Sequence, residues 1–172
     1  AKFSLPAKDE AEIYAHLDMA WVPPALREDM GEVEAAETGG PGLPNLVCMN
    51  SIPGALHNHT VLSAGHATLE QMADAAIRLG WEWLGISDHS QSLKIANGAL
   101  AEDLLSQGRK IRTYNEQWAE QGVDFRLFHG VESDILEGGK LDYSDEVLGQ
   151  LDHVIASVHA ITKWRNRDEM TN

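Results

Sequence analysis

The sequence predicts an α/β fold with parallel strands, preceded by an irregular segment, and three observations carry that reading. From Ile52 onward, short strand candidates alternate with helical patterns. The stretches between strands are too long for hairpins, as parallel pairing through helical crossovers requires. Imidazole and carboxylate side chains recur at the end of each strand candidate, where parallel sheets gather their functional groups.

Residues 1–50 stand apart as a linker. They hold Pro6, Pro23, Pro24, Pro41 and Pro44 together with Gly39, Gly40 and Gly42. A short helix is expected within Lys8–Met19, and the Pro23–Pro24 pair stops it, because proline lacks an N–H and crowds the preceding turn. The acidic stretch Glu28–Glu37 and the turn-rich Thr38–Pro44 read as a connector.

Residues 51–172 carry the regular pattern. Ala55–Thr60 is the first strand candidate. Thr68 caps a helix and Gln71, three residues on, completes a capping box. Leu69, Met72, Ala73, Ala76 and Ile77 follow at helical spacing, and Gly80 closes the helix. Trp83–Ser87 is the second strand. Ala101–Gln121 is a long polar helix with a partial apolar face of Leu104, Leu105, Ile111 and Trp118; Gly108 is a poor helix former in its middle. Phe125–Val131 is the third strand, Ser144 caps a helix reaching about Leu151, and His153–Val158 is the fourth strand. Trp81 and Trp83 read as core.

The 172 residues suffice for one domain and are too few for two large ones. A net charge of −14 argues against this segment gripping nucleic acid by its own electrostatics, which needs lysine and arginine. The acidity reads as a soluble acidic surface, or in part as ligand charge offset when divalent cations bind. No apolar run is long enough to span a membrane. Cys48 is the only cysteine, so no internal disulfide forms, which fits a cytoplasmic setting.

Seven of the eight histidines fall between residues 57 and 159. His57 and His59 lie at the end of the first strand candidate, Asp88 and His89 follow the second, Glu132 follows the third and His159 follows the fourth. Residues two apart on a strand point the same way, so His57 and His59 reach one ion while Asn58 points away. Neutral imidazole suits zinc, manganese and iron, and a carboxylate bridges two cations. Each motif alone is weak; their joint occurrence, once per strand end, points to a divalent-metal centre. Among the others, His16 is read as solvated, His153 as packing, and His129 as a supporting residue or, less simply, a ligand. Lys140, Lys163, Arg165 and Arg167 are surface cations that could also meet a phosphodiester.

These residues resemble the motifs of the polymerase-and-histidinol-phosphatase (PHP) family. The run His57-Asn58-His59-Thr60 is similar to its His-x-His-Thr. Ser87-Asp88-His89-Ser90 is similar to its Asp-His motif, Gly130-Val131-Glu132 to Gly-x-Glu, and Ala156-Ser157-Val158-His159 to Ser-Val-His. Ile95-Ala96-Asn97-Gly98, Gly130–Leu136 and Leu141–Leu148 look like the family X DNA polymerase branch. So do Ala11–Tyr14, Pro23–Glu28 and Gly31–Ala36, which resemble the joint between an upstream polymerase domain and the PHP domain.

The resemblance implies a distorted seven-stranded β/α barrel, here in part, and a centre of up to three divalent ions, manganese or zinc. It implies His57, His59 and Glu132 on a first ion, Glu132 bridging to a second with His159, and His89 on a third. Asp88 is a supporting residue behind them, and the nucleophile is water activated by the ions. Two positions depart from the family pattern. Ser63-Ala64-Gly65 stands where the family has Ser-Asp-Gly, which makes His66 a candidate substitute ligand, and Ala55 stands where the family has aspartate. The later family motifs, a Gly-His-Pro stretch and a final Asp-x-His, do not appear by Asn172, so the domain is expected to be incomplete as a fragment or a truncation.

The expected activity is metal-dependent phosphoester hydrolysis, as a 3′–5′ exonuclease or 3′-end processing step on DNA beside a family X polymerase, in DNA repair. Two alternatives remain: a phosphatase of a small phosphate monoester, as in histidinol phosphatases, and a non-catalytic scaffold.

Overall fold

A computed structural model describes residues 6–159. Lys163, Arg165 and Arg167 lie outside the described residues. The chain divides into two compact units, Ala1–Cys48 and Met49–Asn172.

The first unit is more ordered than a connector. Helix α1 spans Glu10–His16, and the Asp9 side chain caps it by accepting from the Glu12 N–H at 3.0 Å. Arg27 ties the following chain back. Its guanidinium donates to both Glu10 carboxylate oxygens at 2.6 and 2.7 Å, donates to the Val22 carbonyl, and lies over the Tyr14 ring. Pro24–Leu26 forms one 3₁₀ turn. The acidic stretch contains a helix after all, α2, Glu32–Ala36. Gly31 offers no side-chain cap, and the Glu32 carboxylate instead accepts from the Asp29 and Met30 N–H groups at 2.9 and 2.7 Å.

The second unit is the α/β part. Four parallel strands pair in the order β1-β2-β3-β4: β1 Gly54–Ala55, β2 Trp83–Ile86, β3 Arg126–Asp134 and β4 His153–Ser157. The expected alternation and parallel pairing hold, and the result is part of a β/α barrel. Helix α3, Leu69–Arg78, carries the predicted capping box, with Thr68 accepting from the Gln71 N–H and the Gln71 side chain reaching back. Helix α4 runs Ala101–Glu120. Helix α5 is only Asp145–Leu148, shorter than expected, and Ser144 makes no side-chain cap.

Two strands differ from their sequence reading. The first stops at Ala55 because the Asn58 amide donates to the Ala55 and Gly85 carbonyls at 3.1 and 3.0 Å, groups that a longer ladder would have used. Residues 56–60 therefore run beside β2 as irregular chain. The third strand continues past Val131 to Asp134, so Glu132 lies within it. Pairing on both sides sustains it: Glu132 N donates to Asp88 O and Ser90 N to Glu132 O, while Glu132 faces Ile155 in the register with β4.

The core sits between the sheet and the two long helices. Leu69, Ala73 and Ala76 of α3 pack with Leu84, Ile86 and Leu127 of the strands and Ile111 of α4; Trp81 packs against them as expected. Leu104, Val131 and Tyr143 form a second cluster, and the Tyr143 hydroxyl donates to the Ala99 carbonyl. Alternation along β3 sorts its side chains. His129 and Val131 face α4, leaving Glu132 and Asp134 on the other side.

Gly108 is explained by this packing. A Cβ there would lie 2.4 Å from the His129 ring. His129 is buried, and burial pushes its pKa down, so a neutral imidazole fills the gap under the helix. Helix propensity favours alanine over glycine by about 1 kcal/mol. We nonetheless expect Gly108→Ala to destabilise the protein by about 1–3 kcal/mol through overpacking. Chemical denaturation should show this, and the His129→Ala background should remove most of the effect. A Gly108→Ala protein as stable as the parent would contradict the packing.

Candidate metal centre

The ladder between β2 and β3 extends beyond Ile86 as a bridge between His89 and Glu132, which sets these two residues side by side. Next to them, Ser87 N donates to Asn58 O at 2.7 Å and fixes the chain on which His57 and His59 flank Asn58. Asn58 is turned into backbone, as expected, and both histidines turn the other way. His159 lies two residues beyond the end of β4.

These placements bring four imidazoles around one carboxylate. Glu132 Oε2 lies 3.1 Å from His57 Nε2, 3.6 Å from His59 Nε2 and 2.9 Å from His89 Nδ1, and Oε1 lies 3.3 Å from His159 Nε2. The His59 and His89 rings stack at 4.2 Å. The Glu132 side chain is 6% exposed and that of His57 47%, so the carboxylate forms the floor of a site open to solvent.

The ligand atoms fall into two groups, each within 4.8 Å: His57, His59 and Glu132, and His89, Glu132 and His159. The grouping differs from the one the family resemblance implied, where His89 stood on an ion of its own. His66 is exposed and belongs to neither group, and no residue of the Ser63–His66 turn does. His129 and His153 also lie outside both. Ser87 Oγ donates to the Leu56 carbonyl and so accepts from His153 Nε2 at 2.9 Å, which makes His153 a packing residue.

The donor set fits divalent cations. Two atoms about 2.1 Å from a common ion stand about 3.0 Å apart at a right angle and about 3.4 Å apart at the tetrahedral angle. The nitrogen–oxygen separations of 2.9–3.6 Å match such edges. His89 Nδ1 is buried and has no hydrogen-bond partner despite its nearness to Glu132, so alignment for a shared proton is missing. Desolvation lowers the pKa of His59 and of His89, which keeps both rings neutral and able to donate a lone pair. Burial works to raise the pKa of Glu132, but hydrogen bonds from His57 and Ser157 oppose it and hold the carboxyl below its usual range, so it stays ionised.

Asp88 holds this arrangement from behind. Its fully buried carboxylate accepts four hydrogen bonds: from Thr60 N at 2.8 Å, Thr60 Oγ1 at 2.7 Å, Ser63 Oγ at 2.6 Å and Gln107 Nε2 at 2.8 Å. His89 N donates in turn to Ser63 Oγ. One carboxylate thus fastens the end of the His57–His59 segment to the segment that carries His89. Gly65 serves the same turn, since a Cβ there would lie 2.3 Å from the His59 carbonyl oxygen. Ser63 stood out in the sequence only as part of the Ser63-Ala64-Gly65 motif, and Gln107 did not stand out. Gln107 had a detectable signal, a polar residue midway between Leu104 and Ile111 on the buried face of α4. Asp134 was also missed. It accepts from His159 Nδ1 at 2.9 Å, and its signal was a carboxylate two residues from Glu132 on the same strand face. Lys140 is exposed beyond β3.

Parallel strands that gather histidines around a buried carboxylate define an α/β metal-centre class, and the PHP domain family model matches residues 55–171. The chain belongs to the PHP domain family. It is 41% identical over 151 residues to the DNA polymerase/3′-5′ exonuclease PolX of Bacillus subtilis (strain 168), covering 88% of this chain and 25% of that protein. The expected resemblance to the family X branch therefore holds. A protein named "Probable phosphatase" from Acetivibrio thermocellus is 37% identical over 61% of this chain and 40% of its own length. A further probable phosphatase, from Photobacterium profundum, is 30% identical over 67% of this chain and 44% of its own length. The chain spans about a quarter of the polymerase relative and less than half of either phosphatase. Among the described residues no helix is long and apolar enough to cross a membrane.

If Asp88 is the fastening, Asp88→Asn leaves an amide facing donors inside a sealed network. We expect a loss of about 3 kcal/mol in stability, since unmatched buried donors cost about 1–3 kcal/mol each. Metal uptake should fall with it, although Asp88 is in neither ligand group. Denaturation curves and elemental analysis check this; an Asp88→Asn protein with unchanged stability and metal content would contradict the role.

Proposed function

We propose that this chain forms the ligand-bearing front part of a metal-dependent phosphoesterase, residues 51–172, with residues 1–50 joining it to an upstream polymerase domain. His57, His59 and Glu132 would hold one ion, and His89, Glu132 and His159 a second. The observation that carries the reading is the buried Glu132 carboxylate within 3.6 Å of four imidazole nitrogens. Ions held there supply charge neutralisation at a phosphoryl group and activation of water. The residues of the chain do the rest. Glu132 sets the spacing of the two ligand groups, and Asp88 keeps His57, His59 and His89 in one cluster. The exposed rim at His57 gives a phosphate ester access. Manganese or zinc suits the mixed imidazole and carboxylate donors.

The substrate we favour is the 3′ end of DNA. Similarity to the polymerase/exonuclease extends over 88% of the chain, too long a match for the second unit alone, so it reaches into the first unit, which supports a polymerase neighbour. The second reading, a phosphatase of small phosphate monoesters, draws on the two relatives named as phosphatases. The single cysteine suits a cytoplasmic enzyme.

Glu132→Gln preserves shape and removes the negative charge that both ion groups share. In the full-length protein we expect both ions to weaken together and 3′-end hydrolysis of a DNA oligonucleotide with manganese to fall at least about 100-fold, a loss of about 2.7 kcal/mol in transition-state stabilisation. Parallel assays on p-nitrophenyl phosphate separate the two substrate classes. Full activity and full metal content in the variant would overturn the assignment.

A further inference from the structure

We propose that Asp134 is a positioning residue that fixes the ring of His159, holding its Nδ1 as the protonated nitrogen and its Nε2 as the ligand aimed at Glu132. The inference rests on the metal reading above and adds a residue that the ligand groups do not contain.

Asp134 ends β3 on the same face as Glu132 and is 3% exposed. Its two oxygens have separate tasks. Oδ1 accepts twice from His159, from the backbone N–H at 3.2 Å and from the ring Nδ1 at 2.9 Å. Oδ2 accepts from Ser92 Oγ at 3.2 Å. A two-point grip on one residue sets both where the His159 backbone sits and how its ring turns. A carboxylate accepts only, so Nδ1 must carry the proton. In the neutral ring the lone pair is then on Nε2, 3.3 Å from Glu132 Oε1 and 3.4 Å from Ser157 Oγ. A cation between Nε2 and Oε1 would join them as ligands of one ion. The other tautomer would put a proton where the ion belongs. Histidine ligands that donate their second nitrogen to a carboxylate are held in this way at metal sites generally. A purely structural alternative is that Asp134 anchors the loop after His89. That loop is tied through Ser92, whose N–H donates to Asp142 Oδ2 at 2.6 Å and whose hydroxyl reaches Asp134.

The test compares Asp134→Leu, Asp134→Asn and Ser92→Ala in the full-length protein. Leucine has a similar size and accepts nothing. Asparagine can keep its oxygen toward His159 and turn its amide toward the Ser92 hydroxyl. Mn²⁺ binding is measured by the EPR signal of the free ion, and the ion concerned is defined as the one that His159→Ala removes. The ring tautomer of His159 is read in the metal-free protein by ¹⁵N NMR of histidine-labelled samples. We expect Asp134→Leu to weaken that ion by about 10–100-fold. It should leave the ion removed by His57→Ala within about threefold and shift His159 from the Nδ1–H form to a mixture. Asp134→Asn should restore the tautomer and most of the affinity, and Ser92→Ala should change neither. The proposal is overturned if Asp134→Leu keeps the Nδ1–H form, or if Ser92→Ala reproduces its loss of affinity. Should the parent protein bind no Mn²⁺ at all, the metal reading fails, and the tautomer shift alone still decides whether Asp134 sets the ring.

Discussion

A buried, ionised carboxylate facing four imidazoles is an unfavourable arrangement unless positive charge sits among them. Glu132 imposes that condition on the rest of the second unit. It lies inside β3, paired on one side to the segment carrying His89 and on the other to β4, which delivers His159. Its oxygens have fewer N–H and O–H donors than those of Asp88, which precedes His89 on the paired segment. The two carboxylates are a useful contrast. Asp88 has its acceptors filled by four hydrogen-bond donors and is structural, whereas Glu132 faces four imidazoles, of which burial leaves His59 and His89 weakly basic, a set suited to cations.

Histidine has opposite uses within this one unit. His129 faces α4 and replaces the side chain that Gly108 lacks. His153 donates to Ser87 and packs against Gly130. His57, His59, His89 and His159 point their nitrogens at Glu132. Strand alternation and strand-end placement separate these classes, and the chemistry of imidazole does not. The centre depends on packing far from it, because the register of β3 against β2 and β4 decides which side Glu132 takes.

The sequence showed most of this where the physical signal is local. Parallel alternation, the capping box of α3, the span of α4 and the convergence of the five candidate ligands follow from periodicity, caps and strand-end placement. The misreadings arose where tertiary hydrogen bonds override local preference. Asn58 ends β1 early by taking two ladder carbonyls, pairing on both sides carries β3 past Val131, and Glu32 makes a helix out of an apparent connector. The roles of Ser63, Gln107 and Asp134 were hidden for a related reason. Each acts through a partner 19 to 25 residues distant in sequence, and no spacing rule reports such a pair.

The account turns on cations lying between Glu132 and the histidines, and anomalous diffraction from crystals of the protein grown with manganese, with zinc in a parallel set, tests that most directly. Two anomalous peaks are expected, one touching His57, His59 and Glu132 and the other touching His89, Glu132 and His159, with Glu132 common to both. Crystals that show no peak at Glu132 at saturating metal, or peaks held by other residues, would contradict it.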